Sequence, residues 1–214
     1  MPLSTEDIEA LEKKYFLELK QVLSDKSEEL VERFDSRLLI ARDTEGISYK
    51  ENEVDIGAER ILMSIICRNK PFWTVNSSPV SSDLLFDLPD ALLNIDAKTY
   101  KESGKEENKV NLRRNQTSYR DKVYCTSQRS GARYTWKAAL KKIYCHNTHG
   151  DIPCLTYIVK FIYYNENQSV IEIQLINIPN GKLISTYGRD IFNRGKSSIV
   201  PGKPVSDKIG RAHV

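Results

Sequence analysis

With 214 residues, 40% of them hydrophobic, and a formal net charge of +3, the chain can bury one sizeable core but does not call for two domains. No run approaches the roughly 18 apolar residues a membrane span needs, and Met1 to Asp7 lacks the basic and apolar regions of a signal peptide, so neither a helical membrane protein nor a secreted one is expected. Four cysteines (Cys67, Cys125, Cys145, Cys154) without such a signal argue for reduced thiols and a soluble, cytoplasmic protein.

Residues 5–23 repeat apolar groups at Ile8, Leu11, Tyr15, Leu19 and Val22, which predicts an amphipathic helix with Ser4 or Thr5 as N-cap. A second helix is predicted over Ser27–Leu39, and the polar residues 41–54, with Gly46, read as a loop. Ile56–Arg68 is mostly apolar and lacks internal Gly or Pro after Gly57, so a buried helix ending before Pro71 is expected, carrying Glu59 near its start.

From Phe72 the pattern changes to short β-like segments separated by Ser, Pro and Asp clusters: Phe72–Val75, Asp83–Asp87 and Leu92–Tyr100, with Leu88-Pro89-Asp90 as the turn between the last two. Lys101–Asn108 reads as a polar loop and Tyr134–Tyr144 as a helix. Leu155–Tyr164 and Val170–Ile178 read as strong strands joined by Asn165-Glu166-Asn167-Gln168. No internal repeat is visible. Lys208–Val214 reads as the translation of a common sequencing adapter, a non-native tail, so the native chain is expected to continue beyond about Asp207.

Charge is unevenly spread along this order of elements. Residues 1–97 hold 11 Lys and Arg against 20 Asp and Glu, residues 98–142 hold 13 against 4, and residues 143–214 hold 8 against 5. The positive charge therefore begins directly after Asp96. Such a block beside a carboxylate suits a phosphate-backbone partner, because each Lys or Arg placed near a phosphate releases condensed counterions.

Alternation along the third strand points Asn94, Asp96 and Lys98 one way and Leu93, Ile95, Ala97 and Thr99 the other. Asp is disfavoured in strands and is seldom buried without a partner, and a metal ion would supply one. Phosphodiester hydrolysis needs this combination: carboxylates to hold Mg²⁺ against a phosphate oxygen and a cation to stabilise charge on phosphorus. Asp83, on the preceding strand, would meet Asp96 across a hairpin. Two carboxylates suffice for Mg²⁺, which keeps several waters.

This pattern resembles the PD-(D/E)XK nucleases, most closely their type II restriction endonucleases: an acid starting one strand, then an acid-x-Lys triplet on the next, here Asp83 and Asp96-Ala97-Lys98. The resemblance spans about residues 55–178. It implies an α/β restriction-endonuclease-like fold, a mixed central β-sheet flanked by helices, with a helical N-terminal part over residues 1–45. It makes Asp83 and Asp96 the metal ligands, Lys98 the catalytic lysine and Glu59 an auxiliary acid. The literal Pro89-Asp90 lies only six residues before Asp96, in the turn, so Asp83 is the better first acid, with Asp87 and Asp90 as alternatives. The resemblance also implies a homodimer on a short palindromic DNA site and a cognate DNA methyltransferase in the same system.

The basic segment offers Arg113, Arg114, Asn115, Gln116, Thr117, Ser118 and Tyr119 as DNA contacts. Arg pairs with guanine and Asn or Gln with adenine, while hydroxyls suit phosphates. Cys125, Cys145, His146, His149 and Cys154 could form a zinc cluster or be ordinary small core residues. Trp73 and Trp136 are expected in the core. A DNA repair or junction-resolving nuclease, or a non-catalytic DNA-binding protein, are the alternative readings.

Overall fold

A computed structural model describes residues 3–34, 51–76, 82–102, 110, 112–113, 124–129, 132–137, 140–146, 149–164, 169–182 and 192–193. Helix α1 spans Thr5–Asp25. Its N-cap is Ser4, whose hydroxyl accepts the Asp7 N–H at 3.1 Å while the Asp7 carboxylate accepts the Ser4 N–H at 3.0 Å. These bonds satisfy donors that a helix start otherwise leaves open. Tyr15, Leu19 and Val22 are buried, and Ile8 and Leu11 pack on the same core, as the periodicity predicts.

Helix α2 covers residues 27–34; the rest of its predicted span lies outside the described residues. Helix α3 spans Glu51–Asn69, so it begins five residues before its predicted start and takes in residues 51–54, expected as loop. Its buried residues Ala58, Ile61, Leu62, Ile65 and Ile66 recur at helical spacing. The Asn69 side-chain amide donates to the Ile65 carbonyl at 2.8 Å, closing the last turn ahead of Pro71.

Strands β1 (Thr74–Asn76), β2 (Leu84–Asp87) and β3 (Leu92–Lys101) follow, then β4 (Leu112–Arg113), β5 (Tyr124–Arg129), β6 (Ala132–Lys137), β7 (Ile143–His146), β8 (Gly150–Tyr163), β9 (Val170–Ile178) and β10 (Phe192–Asn193). The predicted helix over Tyr134–Tyr144 is therefore wrong. Its first part is strand β6 in an antiparallel hairpin with β5, and its last part belongs to β7. Ala132-Arg133-Tyr134-Thr135-Trp136-Lys137 is rich in aromatic and β-branched residues alternating with charge, and that two-residue period prevails over helix propensity.

The central sheet has six strands in the order β1-β2-β3-β8-β7, with β9 also paired to β8. β3 and β8 run parallel over ten register positions, while β2 and β9 are antiparallel to them, which makes the sheet mixed. Leu84, Phe86, Leu93, Ile95, Ala97, Leu155, Tyr157, Val159 and Phe161 form one core with the buried faces of α1, α2 and α3. Trp73 lies in this core, edge-on to both Tyr15 and Phe86. The opposite sheet face carries a smaller apolar cluster of Leu85, Leu92, Leu140, Ile152 and Cys154. No described helix is long and apolar enough to cross a membrane.

Candidate active site

The site lies on the sheet face turned away from the helices. Leu84 pairs with Ile95 in the β2–β3 hairpin, and extending that register by one residue puts Asp83 opposite Asp96. The hairpin's turn is closed by the Leu88 N–H donating to the Ala91 carbonyl at 3.0 Å. The turn is held to α1, because the Asp90 carboxylate accepts from the Tyr15 hydroxyl and from the Lys14 ammonium, the latter at 2.7 Å. Asp90 thus braces the hairpin from its far end.

Asp96 is 2% exposed. Its Oδ2 pairs with Lys98 Nζ at 2.5 Å, and its Oδ1 is buried with no hydrogen-bond donor. Burial pushes the Asp96 carboxyl well above the usual carboxylate range; the Lys98 ammonium pulls it down, and the facing Asp83 carboxylate pushes it up again. Asp83 Oδ2 in turn accepts the backbone N–H of Ala97 at 2.9 Å. Two carboxylates thus face one another beside a lysine, with one buried oxygen lacking a donor.

Such a pair suits a hard divalent cation. Mg²⁺ takes oxygen ligands, often one or two carboxylates, and its charge would relieve both the repulsion between Asp83 and Asp96 and the unsatisfied Asp96 Oδ1. Two residues earlier on the same face, buried Asn94 donates from Nδ2 to Thr156 Oγ1 of β8 at 3.2 Å, which ties β3 to its parallel neighbour beside the acids.

Of the residues singled out from the sequence, Asp83, Asp96 and Lys98 come together. Asp87 lies at the other end of β2, paired with Leu92, and Asp90 is engaged by α1. Glu59 is half-buried on α3, one position after fully buried Ala58; α3 packs on the face of β3 opposite Asp96. Arg113 falls in β4, paired in parallel with β10, and Arg114, Asn115, Gln116, Thr117, Ser118 and Tyr119 lie outside the described residues. Cys154 is fully buried in the smaller apolar cluster and Cys145 is exposed, and among the described residues no three His, Cys, Asp or Glu groups converge as a metal cluster.

Sequence reading missed Lys160. It is 1% exposed on β8, in register with Lys98 on the same sheet face. A usable signal was present: Lys160 is the one charged residue in the sequence from Ile152 to Tyr163.

Residues 4–167 match the family model described as the N-terminal domain of the type II restriction enzyme MwoI. The fold is similar to the crystal structure of the restriction endonuclease BglI bound to its DNA recognition sequence, with a TM-score of 0.63 and 16% identity over 94% of this chain and 84% of that one. It is also similar to tetrameric restriction endonuclease SfiI bound to cognate DNA, with a TM-score of 0.58 and 20% identity over 95% of this chain and 78% of that one. No curated protein matches the chain in sequence. A mixed sheet with an acid–acid–lysine face, a fold shared with these two enzymes and a family match over most of its length place the chain in the family of the MwoI N-terminal domain, among the type II restriction endonucleases.

Proposed function

We propose that this restriction endonuclease hydrolyses phosphodiester bonds of double-stranded DNA at a short specific site in a Mg²⁺-dependent reaction, with Asp83 and Asp96 as metal ligands and Lys98 as the catalytic cation. The observation that carries this reading is the Asp96 carboxylate, buried beside Asp83, paired with Lys98 through one oxygen and lacking a donor on the other. A bound Mg²⁺ would supply Lewis-acid charge to a phosphate oxygen and acidify water. The chain's own part is to hold the site: Asp83 is fixed by the Ala97 N–H, and Asp96 and Lys98 by the parallel β3–β8 ladder.

Lys98 would stabilise charge developing on the reacting phosphate, while Glu59, on the helix packed against the opposite face of β3, is given no part in this reading. The basic segment from Arg113 to Tyr119 supplies DNA contacts in this reading. A homodimer would match a palindromic site, since two-fold symmetric DNA suits a two-fold symmetric protein, and a cognate methyltransferase would protect the host.

Incubation of plasmid DNA with purified protein tests the reading. Discrete fragments are expected with Mg²⁺ and none with EDTA or with Ca²⁺, whose longer and looser oxygen coordination fits the same acids without supporting the reaction. A random smear would favour a repair or junction nuclease instead.

A further inference from the structure

Helix α1 and strand β9 border a groove on the helix side of the sheet, lined by Phe16 and Leu17 of α1, Val31 of α2, and Ile171, Ile173 and Leu175 of β9. Leu17 and Ile171 are 51% and 40% exposed. β9 is an edge: among the described residues it pairs with β8 alone. Edge strands of soluble proteins are commonly kept short or guarded by lysine, proline or a bulge. β9 runs for nine residues, Val170–Ile178, holds neither lysine nor proline, and pairs regularly from Glu172 onward. A long edge beside an apolar groove suits another chain better than water.

Charge selects the occupant. The residues of α1 along the groove include, in chain order, Glu9, Lys13, Phe16, Leu17 and Lys20. Over the helix, residues 5–12 hold the acids Glu6, Asp7, Glu9 and Glu12 and no base, whereas residues 13–20 hold Lys13, Lys14 and Lys20 against Glu18. Such a helix is complementary to a second copy of itself lying antiparallel: Glu9 of each copy meets Lys20 of the other, with Phe16 and Leu17 of both copies between the two pairs. We propose that a second copy of this chain fills the groove, with α1 antiparallel to its mate and the β9 edges side by side about a two-fold axis perpendicular to the sheet. Rotation about that axis does not turn the sheet over, so both catalytic faces point the same way. From β3 to its mate is then five strand spacings, roughly 24 Å, within the roughly 34 Å of one DNA turn, so both sites reach one duplex. The proposal rests on the homodimer included under Proposed function and names its surface.

Sedimentation of the purified chain tests it. The wild type is expected to be a dimer. Leu17→Glu and Ile171→Lys, both at exposed positions, should be monomers with unchanged circular dichroism. Glu9→Lys and Lys20→Glu should each raise the dimer Kd by about tenfold, and the double variant should recover most of that loss, because the reversed charges meet again. Glu9 also pairs with Lys182 of its own chain, so Lys182→Ala is the control and should leave the dimer intact. A dimer that survives both Leu17→Glu and Ile171→Lys overturns the proposal, and so does a double reversal that recovers nothing. A monomeric wild type overturns the homodimer as well, and shows that the chain needs no second copy to cover the groove. Mg²⁺-dependent cleavage by the same preparation separates the two levels: it would leave the assignment of Asp83, Asp96 and Lys98 standing whichever way the sedimentation falls.

Discussion

The carboxylate of Asp83 accepts the backbone N–H of Ala97, the residue between Asp96 and Lys98. One acid thus does two things: it faces Asp96 and it pins the strand that carries the other two site residues. The two roles separate by substitution. Asp83→Asn keeps an oxygen for the Ala97 N–H but loses the charge, so it should stay as stable as the wild type and lose metal binding and cleavage. Asp83→Ala should lose both activities and also about 1–2 kcal/mol of stability, because a half-buried donor is left without its acceptor. Urea denaturation of both variants checks this; equal stability of the two would remove Asp83 from its structural role.

A second buried acid behaves differently. Glu12 of α1 is buried, and its carboxylate accepts the Asn180 N–H at 2.6 Å and, more weakly, the Asn177 side-chain amide at 3.5 Å. Burial raises its pKa above the ordinary value, and the two hydrogen bonds only partly counter this. A raised carboxyl pKa means that folding favours the protonated form. Its contribution to stability is therefore full below the ordinary pKa and is lost as pH rises through the folded value. Glu12→Gln is neutral at every pH, keeps an acceptor for Asn180, and brings a donor near the buried Asn177 Oδ1, which has none. It should be more stable than the wild type at about pH 8, with the difference shrinking towards about pH 4. Thermal melts across that range check it, and a difference that does not depend on pH would contradict it.

Arg113→Ala and Arg114→Ala should each weaken DNA binding and flatten its dependence on salt. Removing one arginine from a phosphate reduces the slope of log affinity against log salt by close to one. Titrations at several salt concentrations measure this. An unchanged slope would mean that neither arginine contacts a phosphate.

The polar face of β3 was legible because alternation on a strand is rigid: once Leu93 and Ile95 are assigned to the core, Asp96 and Lys98 must face the other way. The pairing of Asp83 with Asp96 could also be read, because the turn Leu88-Pro89-Asp90 fixes the hairpin register, and β9 begins and ends at its predicted residues. The stretch from Tyr134 to Tyr144 reads wrongly as a helix for a physical reason: short segments with aromatic residues satisfy helical and strand spacing almost equally, and pairing with the neighbouring strands β5 and β8 decides between them. The start of α3 was set too late because a Gly at position 57 reads as a boundary, yet inside a helix it costs only about 1 kcal/mol against the buried stripe that follows. Lys160 was passed over because a lone lysine in an apolar run gives no hint of its register until the parallel ladder with β3 is known.

The most direct test of the site is a comparison of Asp96→Ala and Lys98→Ala, with cleavage and DNA binding measured on the same preparations. Both variants should remain folded, since neither side chain lies on the helix-packed face of the sheet. Asp96→Ala should lose metal binding and cleavage together, because it removes a buried carboxylate that Asp83 alone does not replace. Lys98→Ala should lose cleavage by about a hundredfold to a thousandfold while keeping metal-dependent DNA binding, because in the proposed reading the lysine's essential part is on the charge of the reacting phosphate, and its loss leaves both carboxylates in place to hold the metal, Asp96 without its ion pair. Cleavage by either variant at near the wild-type rate in Mg²⁺ would contradict the assignment of this face as the catalytic site.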